Sequence, residues 1–252
     1  RHNLRGGHVT PIVGGAFGEC SQSTDKLLKN CALRAAASEA GIELTPETDT
    51  SELLTARNIL LHDFRLVVDV HLMGTVNCCK AVWEIMKTQE YGRIVVTTSS
   101  SGMYGNFGQS NYGAAKMAVL GLMNTLVIEG MKYNIRVNAL APVAGTRMTE
   151  DLMPAEILDI LTPEAVTAGA LTLCHDDAPN RMILCAGAGG YASTRLFETD
   201  GVYLSPEKQT ADDVLNNWAA INDTNDQSEL ETGAKQSEKF LTKAMQHLQA
   251  KK

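Results

Sequence analysis

A β-branched run, a serine turn and a long apolar segment follow one another in the middle of this chain and constrain its fold most. Residues 93–98 read Arg-Ile-Val-Val-Thr-Thr, a composition typical of a buried strand. The turn Ser99-Ser-Ser-Gly102 follows, and residues 117–128 are apolar over the length of a helix. This order predicts an α/β fold, in which a site lies at the carboxyl ends of the strands. We therefore expect exposed hydroxyl groups directly after residue 98.

Tyr112 and Lys116 stand at the start of this helix with a spacing that supports proton transfer. Residues four apart share one face of a helix. A lysine ammonium there stabilises the phenolate of a tyrosine, whose ordinary pKa is about 10, so that the phenol can act as an acid or base near neutral pH. Ser99 would hold a substrate oxygen beside the phenol. A Tyr-x-x-x-Lys spacing is common by chance, so its weight comes from the strand and serine turn that precede it.

The segments that contain these residues resemble the short-chain dehydrogenase/reductase family. The similarity extends from about Asp63 to Leu204 and is strongest towards bacterial relatives of the (3R)-hydroxyacyl-CoA dehydrogenase part of peroxisomal multifunctional enzymes. The segments that carry it are Tyr91–Ser99, Gly102–Lys116, Asn138–Pro142 and Arg147–Thr149. The resemblance implies a Rossmann-like, doubly wound parallel sheet with helices on both faces.

The resemblance also implies roles for individual residues. Tyr112 is the acid/base, Lys116 is its electrostatic partner and touches the cofactor ribose, and Ser99 donates to the substrate oxygen. His71 stands where many members of the family have asparagine, and members near the hydroxyacyl-CoA branch can have histidine. A proton relay through His71 and an ordinary polar position inside a helix are both compatible with the sequence.

The implied cofactor is NAD or NADP, and its nicotinamide end is expected near Pro142. In the family a Pro-Gly pair stands there, whereas Val143 replaces the glycine in this chain. Thr146 and Thr149 are candidates for contacts near the nicotinamide or the pyrophosphate, or for capping a short helix around residues 150–152. NAD is favoured over NADP because no basic cluster for a 2′-phosphate lies near the first predicted helix.

Residues 1–60 do not follow the family pattern. The glycines of Val13–Gly18 lack the spacing of a phosphate loop, and Pro11 would interrupt a central strand, so we prefer an ordinary turn there. Glu43 is a candidate contact for the adenosine ribose. The nucleotide-binding half is therefore truncated and divergent, or replaced by unrelated sequence. We favour replacement because the resemblance begins abruptly near Leu61.

Composition narrows the classes of partner. The chain has 252 residues, of which 44% are hydrophobic and 20% charged, and its net charge of -7 gives no electrostatic reason to bind nucleic acid. No continuous apolar run approaches the ~20 residues that span a bilayer, so no membrane contact is expected. Six scattered cysteines without a CxxC pair or an HExxH motif argue against a metal site and suit the reducing cytoplasm. Arg1 in place of methionine indicates a fragment or a processed start.

The chain is predicted to have three parts: an atypical segment (1–60), a dehydrogenase-like part (61–204) and a helical extension (205–252). Beyond the strand at residues 93–98, predicted helices cover 25–40, 64–87, 109–132, 163–175, 211–221 and 234–248, and predicted strands cover 135–140 and 181–186.

Within the helix predicted over residues 109–132, residues 117–128 are apolar nearly all round, which indicates burial on more than one side. In the family the two long helices commonly pack against a second copy. An exposed face would need such a partner, and its members would be Met117, Leu120, Met123 and Val127. We therefore expect a homodimer or a homotetramer. A second layer that covers this helix within one chain is the alternative.

The sequence predicts an NAD(P)-dependent oxidoreductase that acts on a secondary alcohol or ketone, with a 3-hydroxyacyl-CoA-like substrate implied by the branch resemblance. The alternative is an inactive remnant or oligomerisation partner without a working dinucleotide site, which the irregular first sixty residues favour. A serine hydrolase is a third and weaker candidate, because no GxSxG elbow occurs and His71 has no evident acidic partner.

Overall fold

The fold is built on a mostly parallel sheet. The computed structural model describes residues 12–14, 61–146 and 154–250. Within these ranges the strands lie side by side in chain order. They are β1 (Ile12–Gly14), β2 (Gly92–Thr97), β3 (Ile135–Val143), β4 (Ile183–Gly187) and β5 (Gly190–Thr194). The first four run parallel, and β5 turns back to pair antiparallel with β4. The carboxyl ends of β2 and β3 therefore reach the same edge of the sheet.

Helices cover both faces of the sheet. In chain order they are α1 (Leu61–Val68), a π-helical segment (Asp69–Met73), α2 (Gly74–Thr88), α3 (Ser100–Tyr104), α4 (Ser110–Gly130), α5 (Ala155–Leu158) and α6 (Glu164–Cys174). Successive side chains of a strand point to opposite faces. Accordingly, Ile94 and Val96 pack with α2 and α4, whereas Val95 packs with α6. This arrangement confirms the predicted doubly wound α/β fold.

The structure differs from the predicted elements in several places. β1 shows that Val13 and Gly14 belong to a strand and not to a turn. The sequence does not predict β5, because the glycines around residues 187–190 favour a loop. Helix α1 begins at Leu61, before the predicted start at residue 64, so Asp63 lies in its first turn. The helix predicted over 25–40, together with Glu43 and Thr149, lies outside the described residues.

Helix α4 packs against the sheet and contributes to the hydrophobic core. Leu120, Met123 and Val127 are at most 4% exposed and pack on the sheet, so the exposed face predicted for them is wrong. Their spacing of three and four residues places them on one helix face, and each buried side chain contributes about 1.5–3 kcal/mol. Ser110–Tyr133 is long and apolar enough to cross a membrane, which a count of continuous apolar residues does not register. A helix in the core of a protein can have the same length and apolar composition.

Arg93 joins the amino-terminal end of β2 to two neighbouring segments of the chain through hydrogen bonds. Its guanidinium donates to the carbonyl oxygens of His175, Gly92, Asn134 and Asp176 at 2.7–3.1 Å. Arg93 is only 4% exposed. A buried cation is tolerated when all its donors are used, and removing one partner leaves the others unsatisfied.

We expect Arg93→Met to lower the free energy of unfolding by about 3 kcal/mol, because four carbonyl groups, of which one is buried and three are part-buried, lose a charged donor. Urea unfolding followed by far-UV circular dichroism measures the change. Arg136 pairs with Arg93 across β2 and β3 and donates to one described carbonyl, that of Ala178, so Arg136→Met is the matched control. Equal losses in both variants would contradict the role given to Arg93.

A second compact unit begins at Arg195. It contains α7 (Ala211–Asn216), α8 (Trp218–Ile221) and α9 (Gly233–Ala250). The single helix predicted over 211–221 is thus divided at Asn217, whereas the predicted final helix is confirmed. Lys239 on α9 donates to the carbonyl oxygen of Thr199 at 2.8 Å, which ties the start of this unit to its last helix.

Candidate active site

Ser99 lies where β2 ends and α3 begins. Its backbone is extended, with φ -155° and ψ 153°, and its hydroxyl accepts a hydrogen bond from the backbone N–H of Ser101 at 3.2 Å. This bond caps α3 and fixes the Ser99 side chain. The Ser99 hydroxyl lies beside the phenol of Tyr112, near enough to act on its pKa as a hydrogen-bond donor. Ser99 is therefore held at the carboxyl edge of the sheet, as the sequence predicts.

Tyr112 and Lys116 lie on the same side of the first turns of α4. The Nζ atom of Lys116 is 5.6 Å from the centre of the Tyr112 ring. Lys116 is 4% exposed, and its ammonium donates to the carbonyl oxygen of Thr97 at 3.0 Å. Thr97 is not predicted as a site residue, because it acts through its backbone carbonyl, which leaves no side-chain signal in the sequence. Its only signal is its position two residues before Ser99.

Two glycines let α3 approach α4 closely. A Cβ atom on Gly102 would lie 2.9 Å from both the Cβ of Lys116 and the backbone N of Met117. A Cβ atom on Gly113 would lie 3.0 Å from the carbonyl oxygen of Ser101. Side chains at these positions would push the two helices apart. The close approach therefore sets the distance between the serine turn and the residues of α4.

His71 reaches the same site from the π-helical segment. Its ring centre lies 5.1 Å from that of Tyr112, and the two rings meet edge to face at 86°. The hydroxyl of Thr75 donates to the carbonyl oxygen of His71 at 2.7 Å. π-helical turns within α-helices are frequent at functional sites. The structure thus brings His71 together with the other predicted catalytic residues.

The pKa of Tyr112 is shifted in the direction opposite to the one predicted from the sequence. Burial raises the pKa of Tyr112 above its ordinary value, and the hydrogen bond with Ser99 opposes that rise. The expectation of a pKa lowered by Lys116 is therefore wrong for the chain by itself. The physical reason is that burial disfavours the phenolate, while the Lys116 ammonium is engaged with the Thr97 carbonyl. The phenol is protonated at neutral pH.

Burial also lowers the pKa values of the two basic groups of the site. It lowers the pKa of Lys116 to about 8. The pKa of His71 falls to about 4, first through burial and then through the charge of Lys116. At neutral pH the imidazole is therefore neutral. The pKa of Lys116 lies not far above neutral pH, so its ammonium is close to losing a proton.

The donor groups at this edge fit the nicotinamide end of a dinucleotide. A lysine ammonium has three N–H donors, and the Thr97 bond uses one, so Lys116 has the chemistry to bind ribose hydroxyls. Pro142 and Val143 end β3 beside the end of β2, and both are exposed. Thr146 follows and is half-buried. Most of the residues predicted for the adenosine and pyrophosphate end lie outside the described ranges.

Comparison with known proteins decides the family. Residues 38–156 match the sequence profile of the short chain dehydrogenases. Over these residues, the chain belongs to the short chain dehydrogenase family. The matched range contains every predicted site residue, namely His71, Ser99, Tyr112, Lys116, Pro142, Val143 and Thr146. The match begins before Asp63, so sequence typical of a short chain dehydrogenase enters the first sixty residues. The replacement of residues 1–60 by unrelated sequence stays a prediction.

Individual short chain dehydrogenase relatives match a similar part of the chain. A Mycobacterium tuberculosis protein named as a short-chain type dehydrogenase/reductase is 44% identical over 170 residues, which is 67% of this chain and 59% of that protein. Peroxisomal multifunctional enzyme type 2 of Mus musculus is 43% identical over 173 residues, which is 68% of this chain and 24% of the mouse protein. The chain thus spans less than two thirds of either relative.

A solved structure supports the same placement in the short chain dehydrogenase family. The full-length peroxisomal multifunctional enzyme type 2 from Drosophila melanogaster superposes with a TM-score of 0.65 and 34% sequence identity. The superposition covers 72% of this chain and 34% of the Drosophila chain. The likeness therefore extends from the sequence profile to the three-dimensional fold.

Proposed function

We propose that this chain is an NAD(P)-dependent oxidoreductase that interconverts a secondary alcohol and a ketone. One observation carries the proposal: Ser99, Tyr112 and Lys116 meet at the carboxyl edge of the sheet. The hydroxyl and the phenol give two hydrogen-bonding groups for one substrate oxygen, and the buried ammonium adds positive charge next to them. Such a set both orients the oxygen and moves a proton to or from it.

In this mechanism Tyr112 transfers the proton. Because burial raises the pKa of Tyr112, the phenol is protonated at neutral pH and donates to a ketone oxygen. For alcohol oxidation it must first lose that proton. Ser99, fixed as the cap of α3, donates to the same oxygen and sets its position. The charge of Lys116 favours the phenolate that remains after the proton has moved.

The cofactor would be held by residues at both strand ends. When bound, a nicotinamide ring supplies or accepts the hydride. Lys116 would bind the ribose next to that ring, and Pro142, Val143 and Thr146 would line the nicotinamide end. NAD is proposed over NADP because the sequence has no basic cluster for a 2′-phosphate near the first predicted helix.

His71 is proposed as a proton relay. Its pKa of about 4 keeps the imidazole neutral at physiological pH, and a neutral imidazole can accept a proton at one nitrogen while donating from the other. The contact with the Tyr112 ring places it beside the group that must exchange protons with solvent. This observation favours the relay over an ordinary polar position within a helix.

A 3-hydroxyacyl-CoA-like compound is the proposed substrate class. The proposal is supported by the resemblance of Tyr91–Lys116 to the hydroxyacyl-CoA dehydrogenase part of multifunctional enzymes, and by the similarity to the mouse and Drosophila proteins of that kind. A cytoplasmic location is proposed because the scattered cysteines suit a reducing compartment.

A homodimer or homotetramer is also proposed. Several large apolar side chains on α1, the π-helical segment, α2 and α4 are 39–65% exposed, which supports a partner surface. They are Leu66, Val70, Met73, Ile85, Met117 and Ile128, with Met131 just beyond α4. This set differs from the one predicted from the sequence, of which it retains Met117.

We expect the chain to bind NADH saturably with a dissociation constant in the micromolar range, because Lys116 and the exposed end of β3 provide the nicotinamide contacts. Enhanced NADH fluorescence measures the binding, and absorbance at 340 nm measures oxidation of 3-hydroxybutyryl-CoA with NAD. NADPH and NADP in parallel assays decide the cofactor preference.

Failure to bind either reduced cofactor would contradict this proposal and favour the alternative, an inactive remnant or oligomerisation partner. Saturable binding without turnover of 3-hydroxybutyryl-CoA would retain the dinucleotide site and remove the proposed substrate class.

A further inference from the structure

We propose that Thr98 is a positioning residue that sets Lys116 relative to the serine turn. The inference rests on the proposed function, which gives Lys116 its catalytic role. Thr98 lies between Thr97, whose carbonyl accepts from Lys116, and Ser99, whose hydroxyl lies beside Tyr112. Three consecutive residues at the end of β2 therefore each face one group of α4.

The contacts of Thr98 join the sheet to the helix. Its hydroxyl donates to the backbone carbonyl oxygen of Lys116 at 2.9 Å. Its backbone N–H donates to the carbonyl oxygen of Leu140 on β3, also at 2.9 Å. Thr98 is 1% exposed, so water does not compete for these bonds. One residue thus fixes α4 to the paired strands at the level of the site.

The bond to Lys116 acts at a point where a small displacement matters. The carbonyl that accepts from Thr98 and the ammonium that donates to Thr97 belong to the same residue, so Lys116 is held at both ends. The titratable groups that face its ammonium are Tyr112 on α4 and His71 on the π-helical segment. A shift of α4 away from β2 would change the distances from the lysine charge to both.

The alternative is that Thr98 only fills space under α4. A valine has nearly the same shape but lacks the hydroxyl, and a serine keeps the hydroxyl but lacks the methyl group. Thr98→Val and Thr98→Ser therefore separate the two roles. Thr125→Val is the matched control. Thr125 is a residue of α4 whose hydroxyl, like that of Thr98, donates to a carbonyl of this helix, that of Gly121 at 3.4 Å. Unlike Thr98, it is exposed and distant in sequence from the site.

The first measurement is the pH profile of turnover. With 3-hydroxybutyryl-CoA and NAD, we expect Thr98→Val to lower kcat about tenfold with little change in KM, since small misplacement of a catalytic group has effects of this size or larger. The rising limb of kcat against pH should move upward by about one unit, because a displaced Lys116 stabilises the Tyr112 phenolate less. Thr98→Ser and Thr125→Val should both match the wild-type chain.

A second measurement does not need turnover. Lysine labelled with ¹³C at Cε is titrated by NMR in the full chain, and the Lys116 signal is assigned from Lys116→Met. We expect a signal with a pKa near 8 in the wild-type chain that moves upward in Thr98→Val as water enters, but not in Thr98→Ser. If Thr98→Val does not fold, Thr98→Ala is used in both measurements.

The outcomes separate the two proposals. An inactive wild-type chain would refute the proposed function, while the NMR titration would still decide whether Thr98 holds Lys116. A valine variant with the wild-type Lys116 pKa would overturn the inference. So would a valine variant of an active chain whose kcat per folded molecule and pH profile are unchanged. Equal losses in the valine and serine variants would show that Thr98 acts through packing, which also overturns it.

Discussion

Tyr112→Phe is expected to lower kcat about 1,000-fold or more, because it removes the group that transfers the proton, and a positioned general acid contributes roughly 10²–10⁴-fold. The substitution keeps the ring and its edge-to-face contact with His71. It removes one hydroxyl, which lies beside Ser99. NADH affinity should therefore change little. Steady-state kinetics with 3-hydroxybutyryl-CoA and NADH fluorescence titration measure the two quantities on the same preparation.

Tyr133→Phe is the matched control for this variant. Tyr133 lies just beyond the other end of α4, and it also has lysine cations over its ring, with Lys87 Nζ at 5.3 Å and Lys132 Nζ at 4.8 Å from the ring centre. A tyrosine near a lysine is thus present in both places, but only Tyr112 lies at the carboxyl edge of the sheet. Turnover retained by Tyr112→Phe, or lost equally in Tyr133→Phe, would refute the assignment of the proton donor.

The catalytic residues could be predicted because their signal is local in the sequence. A β-branched run predicts β2, a serine cluster predicts the turn after it, and a spacing of four places Tyr112 and Lys116 on one face of α4. The parallel strand order then brings Ser99 and α4 to one edge. His71 could be placed through the family resemblance alone, since the π-helical turn that carries it has no periodic signal of its own.

The electrostatics and the faces of α4 could not be predicted in the same way. The pKa of Tyr112 depends on how deeply the phenol is buried and on where the Lys116 ammonium finds an acceptor. That acceptor is a backbone carbonyl, which every residue has. Likewise, a helix that is apolar nearly all round does not reveal which side faces the sheet. Burial of Leu120 and Met123 follows from packing between elements and not from the helix sequence.

Lys116→Met is the second variant with a large expected effect, and it should change activity and stability in opposite directions. Turnover should fall by about 100-fold or more, because the phenolate form of Tyr112 loses its charged partner. The free energy of unfolding at pH 7 should rise by about 1–2 kcal/mol, because a buried cation is replaced by an apolar side chain of similar length. Urea unfolding at pH 7 and pH 10 and steady-state kinetics measure both effects.

The direction of the stability change follows from the pKa of Lys116. Its value is about 8 in the folded chain, against an ordinary value of 10.5. Below pH 8 both states are protonated and the folded chain carries the full penalty of burial, about 3 kcal/mol. Between the two values the unfolded chain binds more protons, so the relative stability of the wild-type chain increases with pH. Loss of the Nζ bond to Thr97 offsets about 1 kcal/mol of the gain at pH 7.

The difference in unfolding free energy between Lys116→Met and the wild-type chain should therefore shrink at pH 10, where the penalty in the wild-type chain has largely gone. Lys80→Met, an exposed position on α2, should change stability by less than about 0.5 kcal/mol at either pH. A methionine variant that is less stable than the wild-type chain at pH 7 would show that the ammonium–carbonyl bond outweighs burial. A more stable but inactive variant would mean that Lys116 serves the site through its charge and at the expense of the fold.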